Sequence, residues 1–494
     1  MYLYSIGQGK VLINKWGMKM ISRDDYISYI RKFPTDEIII YGNKLTKEMH
    51  DQKCFQYYLN DKCKKQNFFI TPWEVLDITF DSIKYSNDYR SKDIEENDFL
   101  KLISYHRQLR DQETNFDNIE SDFLINNIIF GLSQEEFWFQ NVEYELSDYS
   151  RNFEVIKIGL KEDDIIITDA LNSEIGMSVD EYNWNMWILL VISMITYDFT
   201  YIESSNLKKI IINDVLLNKI ITYYTATYDD IRKSNVNKNI FFTKSFVKTS
   251  KGKILLTSPY YLYRVFSNGL YWLTRNHYAK LDSQLFVNKF GTWFEKYVEQ
   301  VLKTYLKSYQ FEKIVEPKKE KKADWAIISN KYILLLEQKS ALAKLGLKQI
   351  NPDNGELLIY FQKLSEGYEQ LEKSEKFYSN MYENKTIIKI LVHYEKLYIP
   401  EQSQDTIEKL VNIRDVFMAN ISEVEGLIYL LSESESKFEN LIERKLILEK
   451  ENYNEGRSFD KLLSELKIEL DYTVNKLKHV DELKAKILAL ESSK

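Results

Sequence analysis

Apolar positions recur along the chain with two periods, and the change from one to the other marks out its elements. From residue 1 to about 240, short β-branched runs such as "EIIIYG" and "DIIITD" alternate with longer stretches such as "DFLKLISYHRQLRDQE" and "VLLNKIITYYTATYDDIRK". Spacing of three and four gathers apolar side chains on one helix face, whereas strict alternation suits a strand. Residues 1–240 therefore read as a mixed but helix-dominated region, with no repeat and no catalytic signature. The most apolar run, Trp184 to Tyr197, contains Asn185 and Ser193 and is followed at once by Asp198. It falls short of the roughly 20 apolar residues that a membrane span needs, so a buried core helix is expected.

The polar cluster "KSNVNKN" (233–239) reads as a linker. Residues 241–282 follow as an adaptor, a hairpin turning near Gly252 and leading through Pro259 into an aromatic-rich helix. In residues 283–432, "FVNKFGTWFEKYVEQVLKTYL" sets Phe290, Phe294, Tyr297, Val298, Val301, Leu302 and Tyr305 at helical spacing. Three strand-like runs come next, "FEKIVE", "ADWAIIS" and "YILLLEQ", the last two joined as a hairpin by the polar turn "SNK". A helix over roughly 357–380, a strand from Thr386 to Tyr394 and a short apolar run, "GLIYLL" (426–431), complete the order α, β, β, β, α, β with a further strand after it. The order predicts an α/β architecture, a mixed sheet flanked by helices. In the charged tail, 433–494, Phe459, Leu462, Leu463, Leu466, Leu470, Val474, Leu477, Val480, Leu483, Ile487 and Leu490 recur every three or four positions. A long amphipathic helix is expected, as a coiled-coil partner or as a cover on the chain's own surface.

Composition narrows this picture. At 494 residues the chain should divide into two to four domains, and 44% hydrophobic residues with only 15 Gly and 6 Pro favour a compact, mostly helical protein. The formal charge of -7 means that any nucleic-acid contact must be local. Cys54 and Cys63 lack Cys or His companions at metal-ligand spacing, so a zinc site is not expected and a reducing cytoplasm is the simplest compartment. The first residues show no basic stretch leading into a long apolar one, so a secretory signal is not supported. His50 and His106 stand alone and read as surface or capping residues.

The chemistry concentrates where "YILLLEQKSA" ends its apolar run in Glu337, Gln338 and Lys339. Alternation sends Glu337 and Lys339 to one face and Gln338 to the other. Asp324 opens the preceding strand, and pairing across "SNK" would bring its carboxylate to the same edge. Paired acidic oxygens suit Mg²⁺ or Mn²⁺, which lower the pKa of a bound water and polarise a phosphoryl oxygen. Lys339 would orient that water, and Glu295 on the upstream helix would supply a third carboxylate if it packs beside the hairpin.

Glu295 in "FGTWFEKYVEQVL", Asp324 in "KKADWAII" and Glu337 with Lys339 in "LLLEQKSA" resemble the PD-(D/E)xK nuclease superfamily, over roughly residues 283–432. The resemblance implies a restriction-endonuclease-like fold, with Asp324, Glu337 and the Gln338 carbonyl around Mg²⁺, Lys339 assisting the attacking water and Glu295 as the helix-borne acid. Ala323 stands where the family name has proline, and Gln370 resembles a polar residue that faces such sites. E-x-K alone carries no weight, since "EKK" at 320, "ERK" at 443 and "ELK" at 465 and 482 also match. Only Glu337 follows an apolar strand run with an aspartate one strand earlier. The plain alternative is a surface ion pair worth less than about 1 kcal/mol.

Residues 313–348 carry nine lysines against four acids, a local +5 that suits phosphate contacts, the alternative being a lysine-rich solvated loop before a strand. The expectation is a cytoplasmic, Mg²⁺-dependent nuclease, with DNA ahead of RNA as substrate and, by resemblance, a part in restriction or anti-phage defence. A protein partner or self-association would engage the N-terminal region or the C-terminal helix, and no membrane is involved. The alternative is a non-catalytic nucleic-acid-binding or scaffolding protein.

Overall fold

A computed structural model of the chain describes residues 21–113, 131, 133–134, 144–162, 164–200, 214–315, 321–340, 343–349, 352–395, 401–450, 458–465 and 478–492. Helices α1 (Arg23–Ile30), α2 (Thr35–Asp51), α3 (Asp61–Lys65), α4 (Pro72–Lys84) and α5 (Glu96–Glu113) gather around Tyr26, Phe33, Ile38, Phe99 and Leu102. Helix α4 starts where it does because Thr71 and Glu74 form a capping box and Pro72 occupies the first turn, where its missing N–H costs nothing. Then come α6 (Tyr144–Glu162), α7 (Asp164–Glu174), α8 (Val179–Ser193) and α9 (Asp214–Tyr223).

Both β-branched runs of this region are helical, "EIIIYG" inside α2 and "DIIITD" inside α7. Ile in a helix costs only a few tenths of a kcal/mol relative to Ala, and burial of Ile38, Ile39, Ile166 and Ile167 outweighs it. The apolar run from Trp184 lies largely in α8, buried on nearly every side. Among the described residues no helix is long and apolar enough to cross a membrane.

A small sheet follows. Strand β1 (Thr225–Thr227), not anticipated from sequence, pairs in parallel with β2 (Phe246–Lys248), which pairs antiparallel with β3 (Ile254–Leu256). Between β1 and β2 lies α10 (Tyr228–Lys233). The β2–β3 turn contains Gly252 at φ +83°, a conformation that side chains with a Cβ rarely adopt. The chain then enters α11 (Pro259–Ala279), the aromatic-rich helix expected there.

The larger sheet has the order β4 (Phe311–Lys313), β5 (Trp325–Ile328), β6 (Tyr332–Lys339), β7 (Thr386–His393), β8 (Val416–Asn420). β4, β5 and β6 run antiparallel in turn, whereas β6, β7 and β8 are parallel. The parallel strands require crossovers, supplied by α13 (Asn354–Met381) and α14 (Glu401–Val411). One face, with Trp325, Leu334, Leu336 and Ile390, packs in the same core as Phe290, Phe294 and Val298 of α12 (Leu285–Tyr305). The other, with Ala326, Ile333, Leu335 and Leu391, shares a core with Phe361, Leu364 and Tyr368 of α13. "GLIYLL" is not a strand: it lies in α15 (Ile421–Glu433), and "VFMAN" just before it forms β8. Asn420 makes the switch, since its side chain accepts from the Ser422 and Glu423 amides and starts the helix one residue after the strand.

Helices α16 (Glu435–Lys450), α17 (Phe459–Glu465) and α18 (Lys478–Ser492) close the chain. Phe459, Leu463 and Val480 lie in the same core as the α12 face of the sheet, so the described part of the tail covers the chain's own surface. Leu466, Leu470, Val474 and Leu477 lie outside the described residues. That core begins at Tyr149 and includes residues of α6, α8, α11, the sheet and α18, so packing is continuous across residue 240.

Candidate active site

The β5–β6 register pairs Trp325 with Leu336, which sets Asp324 opposite Glu337. The Asp324 amide donates to the Leu336 carbonyl at 2.9 Å, and the Gln338 amide donates to Asp324 Oδ2 at 2.7 Å. Because Ala326, Ile333 and Leu335 face α13, alternation puts Asp324, Glu337 and Lys339 on that same side. Glu337 is only 3% exposed. Its Oε1 accepts from Lys339 Nζ at 2.7 Å, and the same ammonium donates to Gln370 Oε1 of α13 at 2.8 Å.

Helix α13 can reach this edge because of Gly367. A Cβ there would lie 2.4 Å from Leu391 Cδ1, 3.0 Å from Lys339 Cε and 3.3 Å from Glu337 Cγ. Nothing in the sequence analysis singled out Gly367, although an isolated glycine inside a helical run, costing about 1 kcal/mol, is itself a signal of close packing. Ala323 also has a local reason. Its amide donates to Ser374 Oγ at 2.9 Å, a bond that proline could not make.

The electrostatics are those of a crowded acidic edge. Burial pushes the Asp324 carboxyl up to about 6 against the pull of the Gln338 amide; Glu295 adds to the rise, and Lys339 and Lys313 oppose it. Glu295 is thus close enough to be felt, yet its Oε1 lies 2.5 Å from Lys313 Nζ on β4. The Gln338 side chain points to the opposite face, as alternation requires, and its amide nitrogen and oxygen are buried without a hydrogen bond among the described residues. The structure therefore brings Asp324, Glu337, Lys339 and Gln370 together and leaves Glu295 at the margin. Among the described residues no group of three or more His, Cys, Asp or Glu is arranged to hold a metal ion.

The local basic stretch is largely engaged. Lys331 and Lys344 pair with Glu439 and Glu356 at 4.0 and 2.6 Å, and the buried Lys322 lies over the Phe377 ring at 4.2 Å. Lys321 is exposed, while Lys318 and Lys319 lie outside the described residues. Lys348 is buried against Glu395, whose carboxylate also accepts from Arg264 Nη2 at 3.0 Å and from the Ala343 amide at 3.1 Å. This network ties the segment after β6 to α11, and no sequence pattern pointed to it. His50 and His106 are half-buried, and burial lowers both pKa values. His50 makes a tilted ring contact with Tyr263, 4.6 Å between centroids, and His106 Nε2 lies 3.5 Å from Asp77. Cys54 and Cys63 are free thiols.

Compared with known protein families, with curated proteins and with solved structures, the chain matches none.

Proposed function

We propose that the chain is a metal-dependent nuclease that hydrolyses phosphodiester bonds at the β5–β6 edge, with DNA ahead of RNA as substrate. The observation that carries this reading is the convergence of Asp324, Glu337 and Lys339 on one face at a hairpin end, with Lys339 fastened by Gln370. The element order agrees with it: helix, three antiparallel strands, helix, then a strand parallel to the third. So does the chemistry of the donors. A carboxyl pushed up to about 6 by burial, with Glu295 adding to the rise, is an environment that a hard divalent cation would relieve.

Mg²⁺ or Mn²⁺ would be held by Asp324, Glu337 and the Gln338 carbonyl, with Glu295 joining after it leaves Lys313; when bound, such an ion supplies Lewis acidity and a water of lowered pKa. The chain's own part is positional. Lys339, held by Gln370, presents an N–H to the attacking water and offsets charge as the phosphorus gains a fifth oxygen. A rigid strand buried on both faces fixes that ammonium better than a loop would. A cytoplasmic role in restriction or anti-phage defence rests on resemblance alone.

A second reading is a non-catalytic nucleic-acid-binding or scaffolding protein. It is favoured by one observation, that Glu337 and Glu295 each already have a lysine partner. Purified protein incubated with plasmid, single-stranded DNA and RNA in Mg²⁺, Mn²⁺ or EDTA separates the two. The nuclease reading expects metal-dependent cutting that disappears in Asp324→Ala and in Lys339→Ala, with circular dichroism unchanged in both. Cutting at the full rate by either variant sinks the site, and metal-independent gel shifts without cutting favour the binder.

A further inference from the structure

Two lysines stand against the acids of this edge, and they differ in how firmly they are held. Lys339 Nζ, 2.7 Å from Glu337 Oε1, comes from β6 and is held a second time by Gln370. Lys313 Nζ, 2.5 Å from Glu295 Oε1, comes from the edge strand β4, and its side chain is 61% exposed. The Trp325 ring lies 5.9 Å from it. Three carboxylates drawn together at one hairpin end would repel one another strongly at reduced dielectric. An exposed ammonium paired with the outermost acid lowers that cost.

We propose, resting on the nuclease reading above, that Lys313 is a displaceable internal cation that competes with the divalent ion for Glu295 and so sets the metal concentration at which the site fills. Lysine suits the part, being a compact charge on a flexible stem that gives up one partner with little geometric cost. Lys339 does not, because leaving Glu337 would also break its bond to Gln370. Once a cation draws Glu295 inward, Lys313 is left exposed on β4 as a free positive charge.

Titration with Mn²⁺, following the electron paramagnetic resonance signal of the free ion, tests this without any turnover. Wild type, Lys313→Met, Lys313→Arg, Glu295→Gln, the Lys313→Met/Glu295→Gln double variant and Asp324→Asn are compared. The expected result is that Lys313→Met binds Mn²⁺ about two- to five-fold more tightly than wild type, the range an exposed ion pair can supply. Lys313→Arg, whose guanidinium holds a carboxylate more firmly, should bind Mn²⁺ no more tightly than wild type. In the Glu295→Gln background Lys313→Met should tighten binding less than in wild type, leaving only the through-space effect of Lys313 on Asp324, because the acid competed for is gone. Equal tightening in both backgrounds would mean mere through-space charge and would overturn the inference, as would no tightening in either. If no protein takes up Mn²⁺, or if Asp324→Asn takes up as much as wild type, the metal site itself fails and the inference with it. Lys313→Gln, which keeps a polar end at this exposed position, should repeat the methionine result.

Discussion

A carboxyl pushed up to about 6, as Asp324 is by burial, changes charge within the range in which proteins work. The sign of its effect follows from which state holds the proton. Between the ordinary aspartate value of about 4 and about 6 the folded chain keeps a proton that the unfolded chain has lost, so its stability contribution falls as pH rises through that window. In EDTA, Asp324→Asn should therefore be more stable than wild type at pH 7.5 by about 1–2 kcal/mol, a figure discounted for partial exposure, and the gap should close by pH 4. Urea melts at the two pH values check this. Metal uptake should show the complementary trend, flat above about pH 6 and weakening by up to ten-fold per unit below it, as one proton is displaced. At this scale the sequence was legible where neighbours are local. Asp324, Glu337 and Lys339 could be set on one face from alternation and a three-residue turn. Gln370 and Gly367 reach the same edge from a helix that begins after the intervening loop, and nothing in local spacing sets that distance.

Elements meet where small residues let them. Gly159 of α6 faces the buried Trp293 of α12, and a Cβ added there would sit 2.7 Å from three ring atoms of the indole. Trp293 is itself packed beside Phe286 and Phe290, so it has no easy direction in which to give. Gly159→Ala should therefore cost about 1–3 kcal/mol in urea melts even though alanine favours helix; a stabilised variant would show that the α6–α12 seam is looser than its geometry. The element reading from sequence succeeded for α12 and α13, whose apolar positions keep a helical period, and for the β5–β6 hairpin, where two apolar runs flank a polar turn. It went astray at "GLIYLL", because a six-residue apolar run does not tell a buried helix from a buried strand. The deciding signal was the Asn420–Glu423 capping box just upstream.

The whole molecule is held by contacts that bridge distant segments. Arg151 of α6 makes two bonds to Glu425 of α15, at 2.7 and 2.9 Å, and Tyr297 of α12 donates to the same carboxylate at 2.7 Å. With the Glu395 network and the core that runs from Tyr149 to Val480, these leave little of the sheet region to stand by itself. A fragment of residues 283–432 should lack a cooperative thermal transition and bind a hydrophobic dye, since Phe290, Trp293 and Phe294 would lose partners from α6 and α11. A sharp melt like that of the full chain would count against this. None of this was visible in periodicity, which reports faces and not what covers them.

Strand β4 contributes only Phe311, Glu312 and Lys313 to the border of the larger sheet, and two of those three side chains are charged. A border so brief and so polar offers a poor template for a stray strand from another molecule. Concentrated solutions should accordingly resist sheet-to-sheet fibril growth from that side, and lengthening β4 with β-branched residues would be the way to lose that protection.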